Sequence, residues 1–190
     1  MTYPIGYIFV IIGRSELFTE HTTLATIPVL NREATLKSLI NLWIIIYLGN
    51  LLGGYIFGFI ILQFNEGKHL ISPNFFYFVS EKMISYSSSE ILVSSIIAGW
   101  LMGTLSWLLS SAQDTFSRVV MIFLITFIIS IAGLHHCIVG SIEVLMAFFS
   151  EANKITGVDF LKFQGISTLG NIIGGVFLVA LVKYSHSKLK

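Results

Sequence analysis

The heptapeptide LGNLLGG (Leu48–Gly54) recurs almost unchanged as LGNIIGG (Leu169–Gly175), 121 residues further along the chain. Both copies lie inside long apolar segments. Small residues in such segments let helices approach each other closely within a membrane. We therefore predict helix packing at the glycines and asparagines of both copies, which are Gly49, Asn50, Gly53, Gly54, Gly170, Asn171, Gly174 and Gly175. The repetition indicates that two parts of the chain are built alike.

The composition predicts an integral membrane protein made of α-helices. Of the 190 residues, 55% are hydrophobic and only 11% are charged, whereas soluble domains have about 25% charged residues. The segment Leu39–Leu62 has no charged residue and exceeds the roughly 20 residues that cross a bilayer core. The net charge of +1 gives no basic face for a nucleic acid, so the expected partner is lipid. The single cysteine, Cys137, excludes an internal disulfide.

Three apolar segments are long enough to span a membrane, and two others are interrupted by polar residues. The full spans are Leu39–Leu62, Ile91–Leu109 and Gly165–Tyr184. The first interrupted span consists of residues 2–12, the polar stretch Gly13–Thr23 and the apolar Leu24–Leu30. The second consists of Val119–Leu134, the stretch His135–Glu143 and Leu145–Phe149. Phe75–Met83 is predicted to be a short helix at the membrane interface, where aromatic residues are common.

The two interruptions match in order and spacing. Gly13 and Gly133 begin them and lie 120 residues apart, close to the offset of the repeated heptapeptide. Two discontinuous helices in corresponding positions are typical of transporters built from repeats, whose binding site lies near the midplane. The second half has a full span before its broken one, and the first half does not. We therefore predict one transmembrane domain over residues 1–190, with the first transmembrane helix absent from this chain.

The interruptions hold ionisable residues, which in membrane segments are candidates for a functional site. They are Arg14, Glu16, Glu20, His21, His135, His136 and Glu143. Histidine suits a proton-linked pathway because its ordinary pKa of about 6.5 lies near physiological pH. The histidine pair is equally compatible with a structural hydrogen-bonding role, and the first polar stretch with a solvated turn. No nucleophile–base pair and no spaced histidine cluster is present, so neither an enzyme nor a metal site nor a cofactor is expected.

Two motifs resemble signatures of the formate/nitrite transporter family. SELFTEHT (Ser15–Thr22) is similar to the family's ELFTGN, and GLHHCIVGS (Gly133–Ser141) is similar to its GFEHxxANM. The repeated heptapeptides correspond in position to similar sequence motifs in the family's third and sixth helices. The resemblance extends over essentially the whole chain. It implies an aquaporin-like helical bundle, a homopentamer with one pore per protomer, and passage of small monovalent anions such as formate or nitrite.

The resemblance also implies which residues form the pathway. His136 matches the family's central pore histidine, and Leu17, Phe18 and Thr19 match the loop segment that approaches it. In two further pathway positions the sequence departs from the family pattern. His135 replaces a glutamate, and alignment on the tryptophan of the Ile91–Leu109 segment puts Ser94 where a lysine is frequent. Gly140 and Glu20-His21 also depart from the signatures, as expected for a divergent, YfdC-like branch.

These observations favour transport of a small monovalent anion, the conjugate base of a weak acid, through a pore with a central histidine that exchanges a proton. An aquaporin-like channel for neutral solutes is one alternative, favoured by the missing lysine. A non-transporting membrane assembly subunit is another, which the missing helix makes conceivable. An incomplete pore wall and subunit interface predict poor expression or poor conduction of the chain as it stands.

The distribution of basic residues predicts the orientation in a bacterial inner membrane. One side collects Arg32, Lys37, Arg118, Lys183, Lys188 and Lys190, and the other collects Lys68, Lys82, Lys154 and Lys162. Because cytoplasmic loops carry the excess of lysine and arginine, the C-terminus is expected in the cytoplasm.

Overall fold

The computed structural model describes residues 3–150 and 155–188, and within them every regular element is helical. The elements are α1 (Tyr3–Ile12), α2 (Phe18–Leu24), α3 (Thr26–Leu30), α4 (Leu36–Lys68), α5 (Pro73–Ile84), α6 (Ser88–Ser111), α7 (Thr115–Ile131), α8 (Val139–Phe149), α9 (Gly157–Gly175), a π-helical turn (Val176–Ala180) and α10 (Leu181–Lys188). Thr2, Lys154 and Lys190, which entered the predictions above, lie outside the described residues.

The three predicted full spans are present and are longer than the apolar segments that indicated them. By length and composition, α4, α6 and the continuous helix Gly157–Ser187 can each cross a membrane. Polar caps extend them beyond the apolar runs. The Thr35 hydroxyl accepts a hydrogen bond from the Ser38 N–H at 3.1 Å before α4, and capping boxes precede α6 and α9. The predicted short helix at Phe75–Met83 is α5.

The loop before α7 is closed by an aspartate. Asp114 accepts a hydrogen bond from the Ser117 N–H at 2.9 Å and so caps the start of α7. Hydrogen bonds from Ser117 hold the pKa of the Asp114 carboxyl below its ordinary value. The helix therefore begins at Thr115, four residues before the apolar segment.

Both predicted helix breaks are present, but each is shorter than the polar stretch that indicated it. The first occupies residues 13–17 rather than Gly13–Thr23, and the second residues 132–138 rather than His135–Glu143. The threonines of the first stretch are helical because their hydroxyls bond to the preceding turn. Thr22 Oγ1 donates to the Thr19 carbonyl at 2.8 Å, and Thr26 Oγ1 donates to the Thr22 carbonyl at 2.7 Å.

The half-helices pack in a pattern that relates the two breaks. α1 packs on α7, α2 lies between α6 and α9, and α8 lies against α4 and α5. The most extensive helix pair is α6 with α9. Helix α4 is covered by the rest of the chain over only a small part of its surface. In its most apolar 18-residue segment 17% of the residues are buried, compared with 44% in that of α6. The breaks thus meet inside the bundle, while α4 presents an apolar face outward.

The glycines of the two repeated heptapeptides make different contacts within one chain. A Cβ added at Gly170 or Gly174 would run into the backbone of α6, so these glycines permit the close α6–α9 pair. In the first copy only Gly54 is covered, by the Ile142 side chain. Apart from the adjoining backbone of α4 itself, Gly49 and Gly53 have no atom of the described residues within 4 Å of an added Cβ.

Candidate functional site

The first helix break begins with a left-handed residue. After α1, Arg14 adopts φ 59°, and the Ser15 N–H bonds back to the Val10 carbonyl at 2.9 Å. This bond spans the end of the helix in the manner of a Schellman motif and satisfies a carbonyl that the last helical turn leaves open. The chain then turns at Glu16 and re-enters a helix at Phe18.

The second break repeats this geometry with a glycine. Gly133 adopts φ 61°, and the Leu134 N–H bonds back to the Ile129 carbonyl at 3.0 Å. The residue equivalent to Gly133 is therefore Arg14, whereas the sequence comparison matched Gly133 with Gly13. Glycine takes this conformation at no steric cost, and arginine does not. The offset between the breaks is thus 119 residues rather than the 120 expected.

Each break is held by the asparagine of one repeated heptapeptide. Asn50 Oδ1 accepts from the Phe18 N–H at 2.9 Å, and its Nδ2 donates to the Glu16 carbonyl at 2.9 Å. Asn171 Oδ1 likewise accepts from the Cys137 N–H at 2.9 Å, and its Nδ2 donates to the His135 carbonyl at 3.1 Å.

These contacts give the asparagines a role that the packing prediction missed. Broken helices at membrane depth leave backbone groups that the bilayer cannot satisfy. One primary amide satisfies a donor and an acceptor two residues apart, which a glycine or an aliphatic residue cannot do. Asn171 adds a further bond to the Ser95 carbonyl at 2.8 Å and so ties the second break to α6. The repetition of asparagine between glycines in both heptapeptides was the available signal.

His136 lies at the point where the two breaks meet and is 1% exposed. Its Nδ1 accepts the backbone N–H groups of Ile138 and Val139, at 3.3 and 3.4 Å. Its Nε2 lies 3.0 Å from Oγ1 of Thr19, in the first turn of α2 directly after the first break. Because Nδ1 is an acceptor, the proton of the neutral ring is on Nε2, which donates to Thr19. The structure thus brings together the two residues that the resemblance placed opposite each other.

Leu17 and Phe18 diverge from this pair. Leu17 packs with Tyr7, Ile129 and other residues of the cluster between α1, α6 and α7. The ring of Phe18 lies edge-on to Trp43 and Tyr47 of α4, with ring centres 6.2 and 4.8 Å apart. Of the segment that was expected to approach His136, Leu17 and Phe18 therefore belong to two different apolar clusters.

His135 and Ser94 form a structural contact beside the His136 site. Ser94 Oγ accepts the His135 N–H at 3.1 Å and lies 2.7 Å from Nδ1 of the same residue. The His135 Nε2 lies 3.1 Å from the Met83 carbonyl, to which it donates. These bonds tie the second break to α6 and to the end of α5. Both side chains border a surface pocket that His136 does not reach.

Two ionisable residues of the predicted polar stretch Gly13–Thr23 contact each other. His21 Nε2 pairs with the Glu16 carboxylate, and the Trp43 indole N–H donates to the His21 carbonyl at 3.0 Å. Glu16 is mostly exposed, with a side chain 66% accessible. These groups are therefore separated from the buried His136–Thr19 pair. No group of three or more His, Cys, Asp or Glu side chains within residues 3–150 and 155–188 is arranged to hold a metal.

A cavity of about 290 Å³ leads from the surface to His136, and we call it the vestibule. Besides His136, its titratable lining residues are Tyr3, Lys82, Tyr86 and Glu143. Glu143 was among the break residues that the sequence indicated. The contributions of α1 and α5 were missed, because α1 had been described only as apolar and α5 only as interfacial.

Two tyrosines of α1 extend from the vestibule to the buried histidine. The hydroxyls of Tyr3 and Tyr7 are 3.3 Å apart. The ring of Tyr7 stands edge-on to that of His136, with centres 5.6 Å apart. A polar edge therefore runs along α1 beside the otherwise apolar cluster that contains Leu17.

The chain is similar to known proteins over nearly its whole length. The family model described as formate/nitrite transporter matches residues 1–185. The inner membrane protein YfdC of Escherichia coli is 33% identical over 195 residues, which cover 99% of this chain and 59% of YfdC. The formate channel BtFdhC of Bacillus thuringiensis is 23% identical over 99% of this chain and 74% of its own length.

A solved structure supports the fold. A pentameric formate channel with formate bound superposes with a TM-score of 0.81 at 24% identity, over 98% of this chain and 80% of that one. The predicted all-helical fold of that channel type is thereby confirmed. The chain spans about three fifths of the length of YfdC. With its apolar spans, the fold is that of an integral membrane protein.

Proposed function

The chain belongs to the formate/nitrite transporter family, and we propose that it carries a small monovalent anion across a membrane along a pathway that passes His136. The family consists of transporters and channels rather than enzymes. The anion is the conjugate base of a weak acid, such as formate or nitrite. The resemblance to the formate channel BtFdhC supports this class of substrate.

The contact between His136 and Thr19 carries the proposal. It joins the two breaks at a buried position, with 3.0 Å between Nε2 and Oγ1. That distance leaves no room for an ion, so this arrangement is the closed one. Opening requires the Thr19 hydroxyl to move aside, and the Nε2–H then donates to the anion in its place. A hydrogen bond to an anion is stronger than one to a neutral hydroxyl, so the exchange is favourable.

The same geometry refines the role of the histidine. Two backbone N–H groups at the start of α8 point at Nδ1. A proton on Nδ1 would face these donors and the positive end of the helix, which disfavours the imidazolium form. We therefore infer that His136 serves the anion as a neutral hydrogen-bond donor. The sequence analysis expected this histidine to exchange a proton. We infer instead that a group nearer to water does so.

The assembly and location follow from the same relatives. We propose that the protein forms a homopentamer, as the pentameric formate channel does, and that each protomer contains one pathway. By analogy with YfdC we propose a bacterial inner membrane. The C-terminus is proposed to be cytoplasmic on the distribution of lysine and arginine.

A channel for small neutral solutes is the second candidate. The serine at position 94, where the family frequently has a lysine, favours it because the site lacks that positive charge. The central pair of a neutral histidine and a threonine equally suits an uncharged hydrogen-bonding solute.

Flux measurements on reconstituted liposomes separate the two candidates. We expect formate uptake above that of protein-free liposomes, and glycerol swelling no faster than theirs. His136→Asn should lower formate uptake by about 10- to 100-fold, as for the loss of a hydrogen bond to a charged group. His69→Asn is the matched control, because His69 is an exposed helix-end residue with φ 52°, a conformation that asparagine tolerates. Equal formate uptake by both variants from pH 5 to 8 would refute the role of His136, and rapid glycerol swelling without formate uptake would favour the neutral-solute channel.

A further inference from the structure

Glu143 is an acidic residue at an unexpected place for an anion pathway. It lies on α8, about two helical turns of sequence beyond His136, and its side chain borders the vestibule. Among the described residues its carboxylate has neither a hydrogen bond nor an ion pair. An ionisable side chain at membrane depth is costly, and an unpaired one is a candidate for function.

The packing of α8 holds Glu143 firmly in this position. Ser80 of α5 donates to the Glu143 carbonyl at 2.7 Å, so the backbone at this residue is fixed against α5. The neighbouring Val144 and Ala147 are buried in the cluster between α8, α5 and α9. The carboxylate therefore faces the vestibule because the opposite face of α8 is occupied by packing.

The titratable groups around Glu143 come from four elements. They are Tyr3 of α1, Lys82 of α5, Tyr86 after α5 and His136 in the second break. Among the described lining residues, Glu143 is the only acid and Lys82 the only lysine or arginine. Lys82 does not pair with Glu143, and its Nζ lies 4.3 Å from the centre of the Phe78 ring. The vestibule thus has one negative and one positive group that act on a passing ion separately.

We propose that Glu143 is a specificity-determining residue that controls, through its charge, whether a monovalent anion reaches His136. When the carboxyl is ionised, it repels an anion in the vestibule. This repulsion is stronger there than in bulk water, because a confined, partly desolvated site screens charges less. When the carboxyl has taken up a proton, the repulsion disappears and Lys82 attracts the anion without opposition. This inference rests on the proposed function, and it predicts that acid conditions on the vestibule side favour anion entry.

Two substitutions of opposite sign test the charge of the vestibule. Glu143→Gln keeps the size of the side chain and removes the charge, so formate uptake should exceed the wild-type value about tenfold at pH 8 and by a smaller factor at pH 5, where more of the wild-type carboxyl carries a proton. A tenfold change corresponds to about 1.4 kcal/mol, which one nearby charge can supply. Lys82→Gln should lower uptake at both pH values. All rates are corrected for leakage through protein-free liposomes.

Glu81→Gln is the matched control, because Glu81 adjoins Lys82 on α5, is exposed and does not border the vestibule. It should change uptake less than twofold. Size-exclusion chromatography of each variant checks folding, and Lys82→Gln provides an independent result if Glu143→Gln does not fold. A Glu143→Gln to wild-type ratio that is the same at pH 5 and pH 8 would overturn the inference, as would increased uptake by Lys82→Gln. If none of the proteins takes up formate, the proposed function is refuted as well. If the wild type takes up formate and the ratio of Glu143→Gln to wild type does not change with pH, only the charge effect is refuted.

Discussion

Replacing Asn171 by leucine removes three hydrogen bonds and little volume. The side chain is fully buried and bonds to the Cys137 N–H, the His135 carbonyl and the Ser95 carbonyl. The Ser95 carbonyl lies within α6 and keeps its helical partner, so two groups are left unsatisfied. At about 1–3 kcal/mol for each buried unsatisfied group, the free energy of unfolding should fall by about 2–6 kcal/mol.

Asn50→Leu provides the comparison, because Asn50 makes the same pair of bonds in the first break but is partly exposed. Water can replace a lost partner there, so the expected loss is about 1 kcal/mol. Unfolding by sodium dodecyl sulfate in mixed micelles, followed by the fluorescence of the three tryptophans, gives both values. An Asn171→Leu protein as stable as the wild type, or a larger loss in Asn50→Leu, would refute the account of the asparagines as supports of the breaks.

The other structural predictions concern two left-handed backbone positions and two glycines of the repeated heptapeptides. Both Arg14 and Gly133 have a left-handed backbone conformation, which favours glycine. Arg14→Gly should therefore raise the free energy of unfolding by about 1 kcal/mol, and Gly133→Ala should lower it by about 1–2 kcal/mol. Changes of the same sign in the detergent titration would contradict this. Gly174→Val should prevent folding, since its Cβ would meet the backbone of α6, whereas Gly53→Val should leave the fold of the chain intact. The yield of non-aggregated protein on size-exclusion chromatography measures both, and similar yields would be inconsistent with the described packing.

The spans and the breaks were predictable from the sequence because both depend on local composition. A charge-free segment such as Leu39–Leu62 has few alternatives to a membrane helix. Polar residues that interrupt two apolar segments at matching distances indicate paired discontinuous helices. The length of the first break was overestimated because threonine hydroxyls can bond within a helix, and composition alone does not reveal this.

The contacts inside the site were less accessible to sequence reasoning. The contact between His136 and Thr19 joins residues 117 positions apart, and only the resemblance to a family placed them together. The roles of His135 and Ser94 as a structural pair depend on the direction in which each side chain points. Tyr7 was missed for the same reason, since an apolar segment of ten residues gives no indication of which face meets the histidine.

The central claim is that an anion takes the place of the Thr19 hydroxyl on His136. The most direct test is an experimental structure of the protein in lipid nanodiscs, determined by electron cryo-microscopy in the presence of formate. We predict density for the anion within hydrogen-bonding distance of His136 Nε2, with Thr19 Oγ1 moved from its present separation of 3.0 Å. Formate bound elsewhere in the protein, with the contact between His136 and Thr19 intact, would contradict the proposal.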